Sequence, residues 1–137
     1  MKKWITALLL VAQETEFLPV DEAFKFQAEM KDSNIEMHWD ISDSYYLYRS
    51  KISAVQNDKP LDLTFKQDAI IKDDEYFGRV EIYHERLDIQ ATPVDSSPIF
   101  ISFQGCAEEG LCYPPVTITH LPDNASTASV DNIQEGN

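Results

Sequence analysis

The sequence has few of the residues on which common catalytic and ligand-binding motifs depend. Its 137 residues include only four glycines, and none belongs to a glycine-rich phosphate-binding loop. A serine-centred nucleophile motif is absent too, and no segment carries a convincing helical repeat. The three histidines, His38, His84 and His120, lie far apart in the sequence, whereas a zinc site needs clustered ligands. We therefore expect no nucleotide site and no serine nucleophile, and the histidine spacing by itself does not predict a metal site.

Basic residues are also scarce. Eleven lysines and arginines stand against 24 aspartates and glutamates, which gives a formal net charge of -13. A protein of this charge repels nucleic-acid phosphates and anionic lipid. Neither nucleic acid nor a membrane surface is therefore an expected partner, and most of the acidic residues are expected on solvated surface.

The two ends of the chain differ in composition from its middle. A Met-Lys-Lys start precedes an apolar run over residues 4–12, as in a secretory signal, and this run is too short to cross a bilayer. Residues 1–12 are therefore predicted to be a signal or leader remnant, with a buried first strand as the alternative. Residues 123–137 are polar and indicate a flexible tail or linker. One folded domain is predicted over residues 13–122.

Apolar and polar residues alternate with a period of two through most of the middle of the chain. Residues 24–30 and 35–41 do so on either side of an Asp32-Ser33-Asn34 turn, which predicts a β-hairpin with one face in a core. Further strands are predicted over residues 46–55, 61–65, 80–83, 87–92, 99–104 and 116–121. Seven or eight short strands in a chain of this length predict an all-β fold, an antiparallel β-sandwich of immunoglobulin type.

The only two cysteines, Cys106 and Cys112, lie between the last two predicted strands. The segment predicts a hairpin whose loop contains the five residues between the cysteines, so that the cysteines face each other at its mouth. Opposed antiparallel residues have Cα atoms about 4.5 to 5.5 Å apart, and a disulfide needs about 4.4 to 6.8 Å. A disulfide is therefore geometrically easy. Strand alternation places Cys106 on the face opposite Phe103, unless Gly105 resets it with a bulge.

The spacing of the cysteines leaves their chemistry open. A bridge that closes so short a loop contributes roughly 2 kcal/mol to stability, and a structural disulfide usually spans more chain. From the residues alone, three interpretations stand: a structural disulfide, a redox-active pair, and a metal-binding or nucleophilic site.

Two polar-aromatic stretches differ from ordinary core strands. Residues 43–49 contain three tyrosines in four positions, and residues 72–79 form an acidic-aromatic loop that contains a glycine near its end. Amphipathic packing at a sheet margin and a solvated surface loop are the ordinary interpretations. The alternative is that both stretches surround the cysteines, with an aromatic loop tip over the disulfide.

Together with the cysteine segment, these stretches resemble the periplasmic N-terminal domain family of the bacterial thiol:disulfide interchange protein DsbD. The resemblance covers the chain from about Phe17 to Leu121. The residues that carry it are Asp43-Ser44-Tyr45-Tyr46-Leu47-Tyr48-Arg49, Asp74-Glu75-Tyr76-Phe77-Gly78 with Glu81-Ile82-Tyr83, and above all Gln104-Gly105-Cys106-Ala107 through Gly110-Leu111-Cys112-Tyr113-Pro114-Pro115.

The resemblance implies an immunoglobulin-like domain with a redox-active cysteine hairpin, which acts as a protein-disulfide reductase by thiol-disulfide exchange. In the family this domain takes electrons from the thioredoxin-like C-terminal domain of the same protein. It passes them to periplasmic disulfide isomerases and to the cytochrome c maturation thioredoxin. The resemblance also implies a monomer without any cofactor besides the disulfide, located in the periplasm and tethered to the inner membrane in the full-length protein.

Single residues receive roles from the same resemblance. Cys112 matches the family cysteine that forms mixed disulfides, and Cys106 matches its resolving partner. A cap loop that shields the pair is expected from Asp74, Glu75, Tyr76 and Phe77. The residues expected around the site are Tyr46, Tyr48, Glu108, Glu109 and Tyr113.

The charges near the cysteines predict the acidity of the reduced site. Reactive cysteines are commonly activated by a nearby cation, but no lysine or arginine lies within the cysteine hairpin. The carboxylates of the cap and of the cysteine loop, together with burial under the cap, disfavour a thiolate. The sequence therefore predicts that the pKa of the Cys112 thiol lies above the free value of about 8.5. The carboxylates in question are those of Asp74, Glu75, Glu108 and Glu109.

The competing hypothesis belongs to a different class of function. A sandwich fold hosts many functions and names none of them. A secreted immunoglobulin-like binding or adhesion module with a purely structural disulfide is therefore the alternative. The reduction potential separates the two hypotheses, because structural bridges tend to lie below about -300 mV and exchange-active ones are more oxidising.

Overall fold

A computed structural model describes residues 16–122 of the chain. This part contains one helical turn, α1 (Val20–Ala23), one 3-10 turn (Arg49–Lys51) and twelve strands. The strands are β1 (Phe24–Lys31), β2 (Asn34–Ile41), β3 (Tyr45–Tyr48), β4 (Ser53–Gln56), β5 (Lys59–Pro60), β6 (Thr64–Phe65), β7 (Ile70–Asp74), β8 (Gly78–Tyr83), β9 (Arg86–Ala91), β10 (Ile99–Phe103), β11 (Gly105–Ala107) and β12 (Val116–His120). The predicted leader (1–12) and tail (123–137) lie outside the described residues. Across residues 16–122, no helix has the length and apolar character needed to span a membrane.

The predicted hairpin at the start of the domain is confirmed. β1 and β2 pair antiparallel along their whole length, with Phe24 opposite Ile41. The two connecting residues, Asp32 and Ser33, have φ angles of 53° and 73°. Positive φ at both positions is the backbone of a type I′ turn, whose twist matches that of the flanking strands. Alternate residues of both strands are buried, so one face of the hairpin enters the core.

Three four-stranded antiparallel sheets surround the core, with strand orders β1-β2-β9-β6, β12-β10-β4-β5 and β11-β3-β8-β7. The main core is built around Trp39, whose ring centroid lies 4.8 Å from that of Phe26 and 5.7 Å from that of Phe103. A second, smaller cluster consists of Tyr46, Tyr48, Ile82 and Cys106. In β3 the residues of this cluster alternate with main-core residues, so the cluster lies on the other face of the third sheet.

The prediction of one continuous strand over residues 46–55 is wrong. The chain forms β3, passes through the 3-10 turn and continues as β4. β3 pairs with β8 and β11, whereas β4 pairs with β5 and β10, so the chain changes sheets at the turn. The sequence does not mark this change, because no glycine or proline separates the two segments.

The predictions are also less successful for some of the strands at sheet edges. A strand was expected over residues 61–65, but only Thr64–Phe65 pairs, at the edge of the first sheet. β7 has no counterpart among the predicted strands, and three of its five residues are exposed. An edge strand of this kind has no regular buried face, and the period of two is therefore weak in its sequence.

β10 and β12 form the predicted hairpin that flanks the cysteines, with Phe103 opposite Val116. Its connection is longer than the predicted five residues, because the chain leaves this sheet after Phe103 and β11 pairs with β3 instead. Gly105 makes this crossing possible, since a Cβ atom there would lie 2.4 Å from the carbonyl oxygen of Tyr46. The two prolines before β12 lack an N–H group and cannot extend the ladder on the return side.

Candidate redox site

Cys106 and Cys112 are joined by a disulfide, and they face each other across an isolated antiparallel bridge. Their Cα atoms are 4.0 Å apart, closer than the predicted spacing. Cys106 is fully buried, with 0% of its surface exposed, whereas Cys112 is only partly buried. Cys112 is therefore the more exposed half of the bridge.

The pairing of β11 with β3 determines where the buried sulfur lies. Cys106 is opposite Tyr46 in this ladder and belongs to the second cluster, whereas its neighbour Ala107 faces the main core. As the alternation predicts, Phe103 faces the main core and Cys106 does not, although the two residues belong to different sheets. The disulfide thus lies on the outer face of the third sheet.

The loop between the cysteines is held by its own backbone. The Ala107 N–H donates to the Leu111 carbonyl at 2.7 Å, and the Gly110 N–H donates to the Ala107 carbonyl at 3.0 Å. Gly110 has a φ of 114°, a conformation that favours glycine. The Glu108 N–H donates to the Ser44 carbonyl at 2.8 Å, which ties the loop to the residue before β3.

The Tyr48 hydroxyl lies directly beside the disulfide. Its oxygen lies 3.0 Å from the sulfur of Cys106 and 3.8 Å from that of Cys112. The same hydroxyl donates a hydrogen bond to Oδ1 of Asp74 at 2.8 Å. The tyrosine therefore connects the disulfide to a carboxylate.

Asp74 accepts four hydrogen bonds although only 6% of its surface is exposed. Its Oδ1 accepts from the hydroxyls of Tyr46 (2.6 Å) and Tyr48 (2.8 Å). Its Oδ2 accepts from the backbone N–H groups of Tyr76 (2.8 Å) and Phe77 (2.9 Å). A buried carboxylate with this many donors is stabilised as the anion.

The titration behaviour of this network follows from the same contacts. Burial by itself would raise the pKa of Asp74, but the hydrogen bonds from Tyr46, Tyr48 and the two backbone N–H groups outweigh it and lower that pKa. Burial, together with the hydrogen bond to Asp74, raises the pKa of Tyr48 to about 12 and also raises the pKa of Tyr46. The network therefore holds one negative charge, on Asp74, at neutral pH.

Residues 74–77, the cap loop, lie between the tyrosines and the cysteine loop. The Phe77 ring packs edge-on against Tyr48, with centroids 5.0 Å apart, and the Tyr76 hydroxyl donates to the Gly110 carbonyl at 2.7 Å. Both rings stay about half exposed, 46% for Phe77 and 51% for Tyr76. The cap loop thus contacts Tyr48, whose hydroxyl oxygen lies beside both sulfurs. It also contacts the loop that joins the two cysteines. That it shields the disulfide stays a prediction.

The other residues expected around the site make no hydrogen bond to Asp74, Tyr46 or Tyr48. Glu75 and Glu109 are exposed, and the carboxylate of Glu108 lies 3.6 Å from the imidazole of His84. The Tyr113 ring packs against Tyr45 in the main core, with centroids 6.3 Å apart. Four carboxylates were predicted to lie near the cysteines. Of these, the carboxylate of Asp74 contacts Tyr48, whose hydroxyl oxygen lies beside both sulfurs. The predicted roles of these residues stay predictions.

Two lysines lie close to the site, and neither was predicted as a site residue. The ammonium of Lys51 lies 4.9 Å from the ring centroid of Phe77, and that of Lys72 lies 5.2 Å from the ring centroid of Tyr46. Lys72 belongs to the acidic-aromatic stretch, and its proximity to the cap was visible in the sequence. Lys51 has no such signal, because only the fold brings the 3-10 turn to the cap loop. Within residues 16–122, no group of three or more His, Cys, Asp or Glu side chains could hold a metal ion.

Known proteins are similar to this chain in sequence and in fold. A family model described as "Thiol:disulfide interchange protein DsbD, N-terminal" matches residues 14–124. The chain belongs to this DsbD N-terminal family. It is 38% identical over 128 residues to DsbD of Pseudoalteromonas atlantica, a match over 89% of this chain and 21% of that protein. It is 37% identical over 109 residues to DsbD of Escherichia coli O157:H7, over 77% of this chain and 19% of that protein. The chain thus spans about a fifth of the length of these curated DsbD relatives.

Solved structures of the DsbD N-terminal family have the same fold. The reduced N-terminal domain of Neisseria meningitidis DsbD matches with a TM-score of 0.73 at 29% identity, over 82% of this chain and 95% of that one. A structure of the complex between the DsbD N-terminal and PilB N-terminal domains of the same species matches with a TM-score of 0.70 at 28% identity, over 82% of this chain and 92% of that one. The predicted family and the immunoglobulin-like β-sandwich are confirmed.

Proposed function

We propose that this chain is a protein-disulfide reductase domain that relays electrons through the Cys106–Cys112 pair to disulfides of other proteins. Its membership of the DsbD N-terminal family and its cysteine disulfide support a role in disulfide exchange. The observation that carries the proposal is the asymmetry of the bridge, with one cysteine fully buried beside a tyrosine and the other only partly buried. A purely structural bridge needs no such access.

Exchange begins with the reduced pair. The Cys112 thiolate attacks the disulfide of a partner, a bond forms between Cys112 and the partner, and the partner's second sulfur leaves as a thiolate that takes up a proton. The Cys106 sulfur, having lost its proton, then attacks the Cys112 sulfur. This restores the Cys106–Cys112 disulfide and releases the partner's first sulfur as a thiol. Two electrons and two protons pass to the partner.

The burial of the two sulfurs supports this order of events. Cys112 can meet a partner's disulfide because it is partly exposed, whereas Cys106 is fully buried and can reach only Cys112. The Tyr48 hydroxyl donates its hydrogen bond to Asp74, so its oxygen can accept a hydrogen bond from the reduced Cys106 thiol. The nearby Asp74 charge disfavours a thiolate until docking of a partner changes the site.

The proposed partners are thioredoxin-fold proteins of the periplasm. The electron donor is the thioredoxin-like C-terminal domain of the same full-length protein, and the acceptors are periplasmic disulfide isomerases and the cytochrome c maturation thioredoxin. The complex of the related Neisseria meningitidis domain with the PilB N-terminal domain supports docking of another protein domain. The chain itself acts as a monomer in the periplasm, held near the inner membrane by the rest of the protein.

The proposal is tested by trapping the mixed disulfide. The reduced Cys106→Ala variant, which keeps Cys112 as its only thiol, is mixed with an oxidised periplasmic disulfide isomerase, and the products are separated on a non-reducing gel. A covalent complex is expected, because the resolving sulfur is missing. The reduced Cys112→Ala variant is the matched control, and it should form little complex because its remaining sulfur is buried.

Two results would count against the proposal in different ways. If Cys112→Ala forms the complex and Cys106→Ala does not, the roles of the two cysteines are reversed. If neither forms it and the pair equilibrates with a redox buffer below about -300 mV, the disulfide is structural and the binding-module hypothesis is favoured.

A further inference from the structure

We propose that Lys51 is a positioning residue that holds the cap loop against the disulfide site from its outer side. The inference deepens the proposed exchange function and rests on it. It concerns how often the site opens to other molecules, and Lys51 takes no part in the exchange itself.

The 3-10 turn that carries Lys51 is firmly attached to the sheet. Its first residue, Arg49, donates from Nη1 to the Tyr83 hydroxyl at 2.7 Å, and its guanidinium carbon lies 4.2 Å from the ring centroid of Phe65. The turn closes through the Ile52 N–H, which donates to the Arg49 carbonyl at 3.2 Å, and the Ile52 side chain is buried. The backbone of Lys51 is therefore well fixed relative to β3.

From this anchored turn, Lys51 reaches the aromatic ring of the cap. Its ammonium lies 4.9 Å from the centroid of Phe77, within the range of a cation–π contact. The same ring packs edge-on against Tyr48, whose oxygen is 3.0 Å from the Cys106 sulfur. Phe77 thus has contacts with both the anchored cation and the tyrosine at the disulfide.

The other attachments of the cap loop do not hold this ring. The Asp74 carboxylate binds the backbone N–H groups, and the Tyr76 hydroxyl binds the cysteine loop through Gly110. Phe77 is 46% exposed, so its burial alone restrains it weakly. A cation–π contact at an exposed site changes such an equilibrium by about two- to fivefold. Loss of the Lys51 charge should therefore raise the fraction of time that the ring spends away from Tyr48 by that factor.

The test measures access of a small molecule to the disulfide. Reduction of the oxidised chain by a small uncharged trialkylphosphine, which attacks the disulfide as a neutral nucleophile, is followed for wild type, Lys51→Met and Lys51→Arg, with thermal unfolding of each as a check on global stability. Lys51→Met keeps a side chain of similar length without the charge, and reduction should be about two- to fivefold faster. Lys51→Arg keeps the cation and should react at the wild-type rate. Lys59→Met, an exposed lysine on β5, is the matched control and should also react at the wild-type rate.

A double-mutant cycle shows whether Lys51 acts through the ring. In a Phe77→Leu background, Lys51→Met should cause no further acceleration, because the ring that the cation contacts is gone. An unchanged rate in Lys51→Met, an equal acceleration in Lys59→Met, or a full additional acceleration in the Phe77→Leu background would each overturn the inference. A failure of the exchange function itself would appear separately, as absence of the trapped complex in Cys106→Ala with Lys51 intact.

Discussion

The buried Asp74 carboxylate allows a quantitative test of how the site is held together. Asp74→Asn removes the negative charge with almost no change in shape. Hydrogen bonds to a charged group contribute about 1.5 to 3 kcal/mol each, against about 0.5 to 1.5 kcal/mol for neutral ones. Asp74 accepts four such bonds, and these losses are not fully additive. We therefore expect Asp74→Asn to lower the free energy of unfolding by about 2 to 4 kcal/mol at neutral pH.

The assay is urea unfolding of the oxidised chain, followed by the fluorescence of the buried Trp39. Asp73→Asn is the matched control, because this neighbouring side chain is 89% exposed and, among residues 16–122, its ion-pair partner is Arg79, at 4.0 Å. Its effect should stay within about 0.5 kcal/mol. If Asp74→Asn costs no more than Asp73→Asn, the hydrogen bonds seen at Asp74 do not stabilise the fold and the reasoning is refuted.

The pH dependence of the difference in free energy of unfolding between wild type and Asp74→Asn provides a second check. The pKa of Asp74 is lowered in the folded chain, so its stabilising effect is complete above the unfolded pKa of about 3.9 and is lost as the pH falls through the folded pKa. The difference in free energy of unfolding between wild type and Asp74→Asn should therefore be constant from about pH 7 to pH 5 and shrink below about pH 4. A difference that is the same at pH 3 and pH 7 would contradict the assignment of the charge to Asp74.

Three further predictions concern other parts of the fold. Gly105→Ala should unfold at much lower urea concentration than wild type, because the new Cβ would lie 2.4 Å from the Tyr46 carbonyl oxygen; an unchanged midpoint would show that β11 can move away. Burial lowers the pKa of His120, so its neutral form favours folding above about pH 6.5 and this contribution is lost as the pH falls. The stability of wild type relative to His120→Leu should therefore decline between about pH 6.5 and 5, and parallel curves would contradict this. The rate of Cys112 alkylation in Cys106→Ala should rise with a pKa above about 8.5 and shift downward in Asp74→Asn, whereas a pKa at or below the free value would refute the predicted effect of the carboxylates.

Much of the site could be predicted from short stretches of sequence. The cap residues, the tyrosine stretch and the cysteine pair were identified by their residue types and by the family resemblance. Their joint arrangement was not visible, because Asp74 meets Tyr46 and Tyr48 across 28 and 26 residues of sequence. Lys51 escaped prediction for the same reason, since its contact with Phe77 depends on where the chain turns between two sheets.

By itself, the sequence determined the features that depend on neighbouring residues. Strand alternation on both sides of Asp32 and Ser33 specifies the first hairpin, and the short spacing of Cys106 and Cys112 lets them face each other. Both follow from backbone geometry over a few residues. Only the tertiary structure decided that β11 leaves the sheet of β10 for that of β3, which buries Cys106 beside Tyr48 and leaves Cys112 partly exposed. Which sheet a strand joins depends on long-range pairing and core packing. A local alternation of apolar and polar residues does not distinguish one sheet from the other.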